Sequence, residues 1–115
     1  MKTNAIVGGL GEDIARKFLI KNKYKILHTN YKTKLGEIDI VCFDKKTDTY
    51  VFVEVKYRST KIFGYPREAV DSRKQNKIKM VATEYMRSNR IYNKKARFDV
   101  VEILDEDITH IKNAF

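Results

Sequence analysis

The sequence predicts an α/β domain in which a mixed β-sheet is flanked by α-helices. Two observations predict it: apolar residues recur at helical spacing in two segments, and short segments rich in Ile, Val, Phe and Tyr lie before and between them. A chain of 115 residues with 43% hydrophobic residues is long enough to bury one core. We therefore expect residues 1–115 to form a single domain.

The first half of the chain predicts one helix and three strands. The helix is expected over about residues 9–22, with Gly8–Gly11 as a flexible lead into it and with Glu12 and Asp13 in its first turn, where the helix dipole favours acids. The expected strands are Tyr24–Asn30, Gly36–Phe43 and Tyr50–Tyr57, and residues 45–49 supply a turn between the last two.

The second half predicts a helix followed by one or two strands. The helix is expected to begin near Pro66 and to run to about Asn89, with an apolar face formed by Ile78, Val81, Ala82 and Tyr85. Arg97–Leu104 is expected to be a strand, with a shorter one at Ile108–Ile111. Because a helical crossover usually joins parallel strands, Arg97–Leu104 should pair parallel with Tyr50–Tyr57. The helices could lie on opposite faces of the sheet or on one face.

The chain carries an excess of positive charge, which is unevenly distributed along the sequence. There are 24 Lys and Arg against 15 Asp and Glu, for a net charge of +9. Residues 21–34 contain five lysines and no acid, and residues 56–97 contain 13 basic residues against three acids. Residues 35–55, between these blocks, contain five acids and two lysines. This pattern favours a polyanionic partner, although lysines that only coat a soluble surface would also explain it.

Membrane insertion and disulfide chemistry are not expected. The longest apolar runs are Ile40–Phe43 and Tyr50–Val53, far short of the roughly 20 residues of a membrane span. The opening segment also lacks the hydrophobic region of a signal peptide, and the single Cys42 can form no internal disulfide. A cytoplasmic location is therefore expected, with Cys42 as a buried, inert thiol. His28, Cys42 and His110 lack the paired spacing of a zinc site.

Two acidic strands form the candidate catalytic site. In the first, alternation places Glu37 and Asp39 on one face, opposite Ile38, Ile40 and Cys42. In the second, it places Glu54 and Lys56 on the face of Phe52, opposite Val51, Val53 and Val55. If the two strands pair symmetrically about the turn, Asp39 lies opposite Glu54.

Two facing carboxylates repel each other unless a cation or a proton intervenes. Mg²⁺ would suit Asp39 and Glu54, since it takes oxygen ligands and retains several waters. Lys56 could then hold or deprotonate a metal-bound water and offset charge on a phosphate. The alternative is that both strands simply expose a polar face to solvent, with Lys56 neutralising Glu54 in an ordinary ion pair.

Further polar residues are candidates for nucleic-acid contact. The second helix opens with Arg73, Lys74, Gln75, Lys77 and Lys79, and the preceding loop carries Arg58, Lys61 and Arg67. These residues could contact phosphates or could form a solvated helix face. Asp99 could support the site from a neighbouring strand, but a solvent-facing strand acid is the default interpretation.

Several motifs together resemble the YraN-like family of small bacterial proteins. They are Gly11-Glu12, Gly36–Val41, Phe52–Lys56 with Arg58, Lys74-Gln75 with Lys77-Ile78, and Arg97–Val101. That family is similar to the restriction-endonuclease superfamily with PD-(D/E)xK sites, and within it to archaeal Holliday junction resolvases. The resemblance implies a restriction-endonuclease-like mixed sheet. It covers nearly the whole chain, but Ile38 stands where the superfamily motif has proline.

The resemblance also implies roles for individual residues. Asp39 matches the metal-binding aspartate, Glu54 the second acid, Lys56 the lysine and Glu12 an extra acid from the first helix. The Val55 carbonyl would be a further metal ligand, and Gln75 resembles an accessory polar residue. The implied activity is an Mg²⁺- or Mn²⁺-dependent endonuclease acting on DNA, with branched or flapped DNA as candidate substrates. A homodimer is implied by likeness to resolvases. The alternative is a non-catalytic nucleic-acid-binding module with the same fold.

Overall fold

The computed structural model describes residues 4–58 and 70–115, and the side chains of the first helix from Gly9 onward. These described residues form two helices and five strands in the predicted α/β order. The elements are α1 (Asn4–Lys21), β1 (Tyr24–Thr33), β2 (Gly36–Asp44), β3 (Thr49–Arg58), α2 (Ser72–Ser88), β4 (Lys95–Leu104) and β5 (Asp107–Ile111).

The five strands form one mixed sheet in the order β1-β2-β3-β4-β5. All neighbouring strands are antiparallel except β3 and β4, which run parallel and are separated along the chain by α2. The predicted parallel pairing is therefore confirmed.

The helices cover opposite faces of the sheet. Ala15 and Leu19 of α1 pack in a cluster that includes Val53 of β3. The buried face of α2 packs in a second cluster that includes Phe52, the neighbour of Val53 in sequence. Successive strand residues point to opposite faces, so the two helices sandwich the sheet between them. The predicted apolar face of α2 is confirmed, since Ile78, Val81, Ala82 and Tyr85 are all buried.

Helix α1 begins earlier than predicted, and the glycines near its start are part of it. Gly8–Gly11 are helical, so Glu12 and Asp13 lie well inside the helix and not in its first turn. Gly11 allows the helix to approach β3, because an added Cβ would lie 2.7 Å from the Cβ of Tyr57. The glycine is required there for close packing, and the prediction of a flexible lead was wrong.

Helix α2 begins at Ser72, after Asp71 as its N-cap. The Asp71 side chain accepts a hydrogen bond from the Lys74 backbone N–H at 2.9 Å, which satisfies a donor that a helix start leaves unpaired. The predicted start near Pro66 lies outside the described residues. Neither α1 nor α2, as described, is long and apolar enough to cross a membrane.

Strand β2 changes the face that it presents, contrary to the predicted alternation. Ile40 and Cys42 pack in the cluster beneath α1, but Ile38 packs in the cluster beneath α2. On β1, which pairs with β2 on both sides of this point, Asn30 has a positive φ of 52°. The regular pleat is therefore broken at Asp39, and a strict two-residue period does not describe its side chain.

Candidate metal and nucleic-acid site

Asp39 lies where β2 leaves β3. The ladder between these strands runs from Asp44↔Thr49 to Ile40↔Val53, in the register that symmetric pairing predicted. It ends one residue before Asp39 would pair with Glu54. There the Asp39 Oδ2 atom accepts a hydrogen bond from the Val55 backbone N–H at 2.8 Å. A carboxylate thus replaces the main-chain acceptor that a continued ladder would have provided.

Glu54 lies on the face of the sheet covered by α2, as the alternation of β3 predicted. Its side chain is 8% exposed, and the Lys74 Nζ atom lies 2.5 Å from its Oε2 atom. Oε2 is buried and has no well-aligned hydrogen-bond partner among the described residues, so Lys74 acts on it mainly as a nearby positive charge. A buried carboxylate is expensive without such compensation.

The carboxyl groups of Asp39 and Glu54 interact directly, and this changes the protonation of Asp39. Burial, a hydrogen bond with Glu54 and repulsion by its charge together raise the pKa of Asp39 to about 8. The Val55 N–H bond acts in the opposite direction, whereas the charge of Glu12 adds to the rise. The pair therefore retains a proton near neutral pH, as expected for two carboxyl groups that share a site.

Lys56 follows Glu54 on the same strand face. Val51, Val53 and Val55 pack toward α1, which leaves Glu54 and Lys56 on the opposite face by strand alternation. The parallel register sets Lys56 beside Glu102 of β4. Glu102 is buried, and sequence reasoning missed it. The predicted parallel pairing of β3 with β4, together with the alternation of residues along β4, could have placed Glu102 next to Lys56.

Glu12 lies near the carboxyl pair without joining it. It hydrogen-bonds with the Asn30 side chain, and burial and the charge of Glu37 raise its pKa. Within residues 4–58 and 70–115, no three His, Cys, Asp or Glu side chains gather closely enough to hold a metal ion. Glu12 therefore influences Asp39 through its charge, and the structure does not add it to Asp39 and Glu54 as a third adjacent carboxylate.

The predicted nucleic-acid contacts are distributed around α2 and the end of β3. Arg73 and Lys77 are exposed on α2. Lys74, also predicted as a phosphate contact, forms an ion pair with Glu54. No sequence signal identified that partner, because the two residues lie on different elements. The Gln75 Nε2 atom donates to the Val70 carbonyl at 2.7 Å, which fastens the start of the helix.

Two more of these candidates, Lys61 and Arg67, lie outside the described residues. Arg58 ends β3, where its carbonyl accepts a hydrogen bond from the Asp105 N–H at 3.0 Å. That main-chain bond joins the end of β3 to the segment after β4.

Asp99 is neither solvent-facing nor part of the site, so both interpretations of it were wrong. It is fully buried and accepts from Arg97 Nε and Nη2 at 2.9 Å each, and its Oδ2 lies 2.7 Å from His110 Nε2. Phe98 and Val100 face α2, so Asp99 points to the α1 side, away from Glu54.

Cys42 is buried as predicted, and burial is the main cause that raises the pKa of its thiol to about 12.

Comparison with known proteins identifies close relatives across the whole chain. The model of the "Uncharacterised protein family UPF0102" matches residues 11–103. A UPF0102 protein of Clostridium beijerinckii is 44% identical over 120 residues, covering 99% of this chain and 96% of its own. One from Acetivibrio thermocellus is 48% identical over 118 residues, covering 94% and 89%. One from Clostridioides difficile is 46% identical over 110 residues, covering 94% and 95%.

Among solved structures, a repair endonuclease from Pyrococcus abyssi is similar at a TM-score of 0.49 and 15% sequence identity. The match covers 92% of this chain and 41% of the other, so this chain spans about two fifths of that longer protein.

Proposed function

The chain belongs to the uncharacterised protein family UPF0102, and from that premise and its paired carboxyl groups we propose that it is a metal-dependent endonuclease that hydrolyses phosphodiester bonds in DNA. The observation that carries the proposal is the meeting of Asp39 and Glu54 where β2 and β3 diverge, on a chain of net charge +9. Branched or flapped DNA is the proposed substrate, by the resemblance to resolvases.

The donor atoms of the site suit Mg²⁺ or Mn²⁺. Within the part of the chain that the structure describes, the buried Oε2 of Glu54 has no well-aligned hydrogen bond, and Asp39 lies beside it. Val55 turns its N–H toward Asp39, and in a strand the N–H and C=O of one residue face the same edge, so its carbonyl could add a third oxygen. Such an ion retains waters and accepts phosphate oxygens as further ligands. When bound, it would polarise the phosphate and lower the pKa of a water.

The remaining residues have supporting roles in this proposal. Lys56, on the face of Glu54, would hold the attacking water and offset charge on the phosphate. Glu12 would adjust the charge of the site from α1. Phosphates of the nucleic acid would be contacted by Arg58, Arg73, Gln75 and Lys77, together with Lys61 and Arg67. A homodimer is part of the same proposal, and sedimentation of the purified protein tests it.

Cleavage of labelled DNA tests the proposed activity. Four-way junction, flap, single-stranded and duplex substrates are incubated with Mn²⁺, with Mg²⁺ or with EDTA. We expect metal-dependent cleavage that Asp39→Ala, Glu54→Ala and Lys56→Ala each abolish. Asp107→Ala, which removes an exposed acid from β5, is the matched control and should retain activity. Cutting that survives Asp39→Ala and Glu54→Ala would place the activity elsewhere.

The alternative proposal is a nucleic-acid-binding module without catalysis. One observation favours it: Lys74 already compensates Glu54, which gives the buried acid a structural partner. This alternative predicts DNA binding that falls steeply with salt, together with no calorimetric binding of Mn²⁺ and no cleavage. Mn²⁺ binding that Asp39→Ala removes would exclude it.

A further inference from the structure

The positively charged side chain of Lys74 lies beside the Glu54 carboxyl oxygen to which a metal ion would bind. Its Nζ atom lies 2.5 Å from Glu54 Oε2, and its side chain is 54% exposed, compared with 8% for Glu54. The main chain of Lys74 is fixed, because its N–H donates to the Asp71 cap at 2.9 Å. The side chain therefore extends from a fixed point, and its exposed half leaves it room to move.

The surroundings of Lys74 are acidic from several directions. Its ammonium group pairs with the Glu54 carboxylate, and the carboxyl groups of Asp39 and Asp71 attract it further. The ammonium group thus acts as the counter-ion that the carboxyl pair requires. A divalent ion on Glu54 would provide the same compensation, and two cations at one oxygen repel each other.

We propose that Lys74 and a divalent metal ion exclude each other at Glu54, so that metal binding releases the Lys74 ammonium toward a phosphate oxygen of the nucleic acid. This inference rests on the proposed function. It makes metal and polyanion binding cooperative, because a phosphate that draws Lys74 away from Glu54 also opens the site to the ion. The coupling is necessarily reciprocal.

Calorimetric titration with Mn²⁺ tests the exclusion without reference to cleavage. Lys74→Met removes the charge and keeps most of the aliphatic side chain. We expect the dissociation constant of this variant for Mn²⁺ to be about tenfold lower than that of the wild type, since residues that contact metal ligands alter metal affinity by about this order. Lys79→Met is the matched control, since it removes the same charge from the exposed face of the same helix, and its affinity should equal that of the wild type.

The outcomes separate this inference from the proposed function. If the wild type binds no Mn²⁺, or if Asp39→Ala leaves binding unchanged, the proposed metal site is wrong. If Asp39→Ala removes Mn²⁺ binding but Lys74→Met binds Mn²⁺ no more tightly than Lys79→Met does, the metal site stands. Only the proposed exclusion between Lys74 and the metal ion is then overturned.

A second measurement uses the wild-type protein and does not depend on how a variant folds. Lysines are acetylated with an amine-specific ester, and modification is followed by peptide mass spectrometry with and without Mg²⁺. Reaction at Lys74 should rise severalfold when Mg²⁺ displaces it from Glu54, whereas reaction at Lys79 should not change. Equal or lower reactivity of Lys74 with Mg²⁺ would contradict the proposal.

Discussion

Asp39 reduces the stability of the metal-free protein as the pH rises. Its pKa is raised to about 8 in the folded chain, whereas an aspartate in an unfolded chain titrates near 3.9. The folded state therefore holds a proton that the unfolded state loses between these values. The stabilisation from this group is complete below about pH 4 and is progressively lost as the pH rises to about 8.

Asp39→Asn should therefore stabilise the metal-free protein at alkaline pH. Asparagine keeps an oxygen for the Val55 N–H and removes the charge that repels Glu54. In denaturant unfolding with EDTA we expect the variant to gain more than about 1 kcal/mol over the wild type between pH 5 and pH 8.5, because one pKa unit corresponds to about 1.4 kcal/mol.

Asp107→Asn, at an exposed position of β5, is the control and should show no such trend. Mg²⁺ should raise the stability of the wild type and leave that of Asp39→Asn unchanged, because a ligand stabilises only a folded protein that binds it. A variant less stable than the wild type at pH 8.5 would mean that repulsion between the carboxyl groups is not the main effect.

At the scale of elements, Gly11 controls how closely α1 packs on β3. The clash that an added Cβ would make is with Tyr57 Cβ, which is fixed to the main chain of β3 and cannot rotate away. Glu12, the next residue, hydrogen-bonds with the Asn30 side chain of β1. Gly11 therefore lies next to the acid of α1 that acts on Asp39 through its charge.

Gly11→Ala should destabilise the protein, although alanine favours helices. The overpacking of α1 against β3 should lower the free energy of unfolding by about 1–3 kcal/mol in urea denaturation. Gly9→Ala, in the same helix with nothing within 4 Å of the added Cβ, should be neutral or stabilising by up to about 1 kcal/mol. Equal effects of the two changes would refute the proposed contact.

Sequence periodicity predicted the elements well where the pleat is regular and failed where it is not. In β3 the alternation of Glu54 with Val53 and Val55 placed the acid correctly. In β2 the same rule misplaced Ile38, because the strand turns at Asp39 as it leaves β3. The role of Gly11 also could not be predicted, since it depends on a partner far along the chain.

At the scale of the whole molecule, one buried network joins four of the five strands that the structure describes. Arg97 of β4 binds Asp99 on its own strand, Asp44 of β2 at 3.1 Å and the Tyr24 hydroxyl of β1 at 2.9 Å. His110 of β5 completes it through Asp99. Sequence composition indicated none of these partners, because they are brought together only by the strand order.

This network should make the fold sensitive to acid. Burial alone would raise the pKa of Asp99, but hydrogen bonds from His110 and Arg97 lower it below its ordinary value. A carboxyl group with a lowered pKa stabilises the fold above its unfolded pKa, near 3.9, and this stabilisation is lost as the pH falls through the folded value.

Asp99→Asn should lower the free energy of unfolding by about 3–5 kcal/mol at pH 7, because it leaves Arg97 partly uncompensated in the interior. The difference from the wild type should shrink below pH 4 in thermal unfolding. Asp48→Asn is the control: its ion pair with Lys94 spans 3.2 Å between side chains 65% and 44% exposed, and its loss should matter by less than about 1 kcal/mol. A similar loss in both variants would show that burial of the network is not decisive.

The hydrogen bond between Asp39 and the Val55 N–H has a consequence for how this protein can evolve. Every residue except proline brings the same main-chain donor to position 55. A substitution at position 55 by any residue other than proline therefore leaves the aspartate its main-chain donor, although the Val55 side chain itself packs against the core. Related proteins that retain strand β3 should therefore also retain the position of the Asp39 side chain.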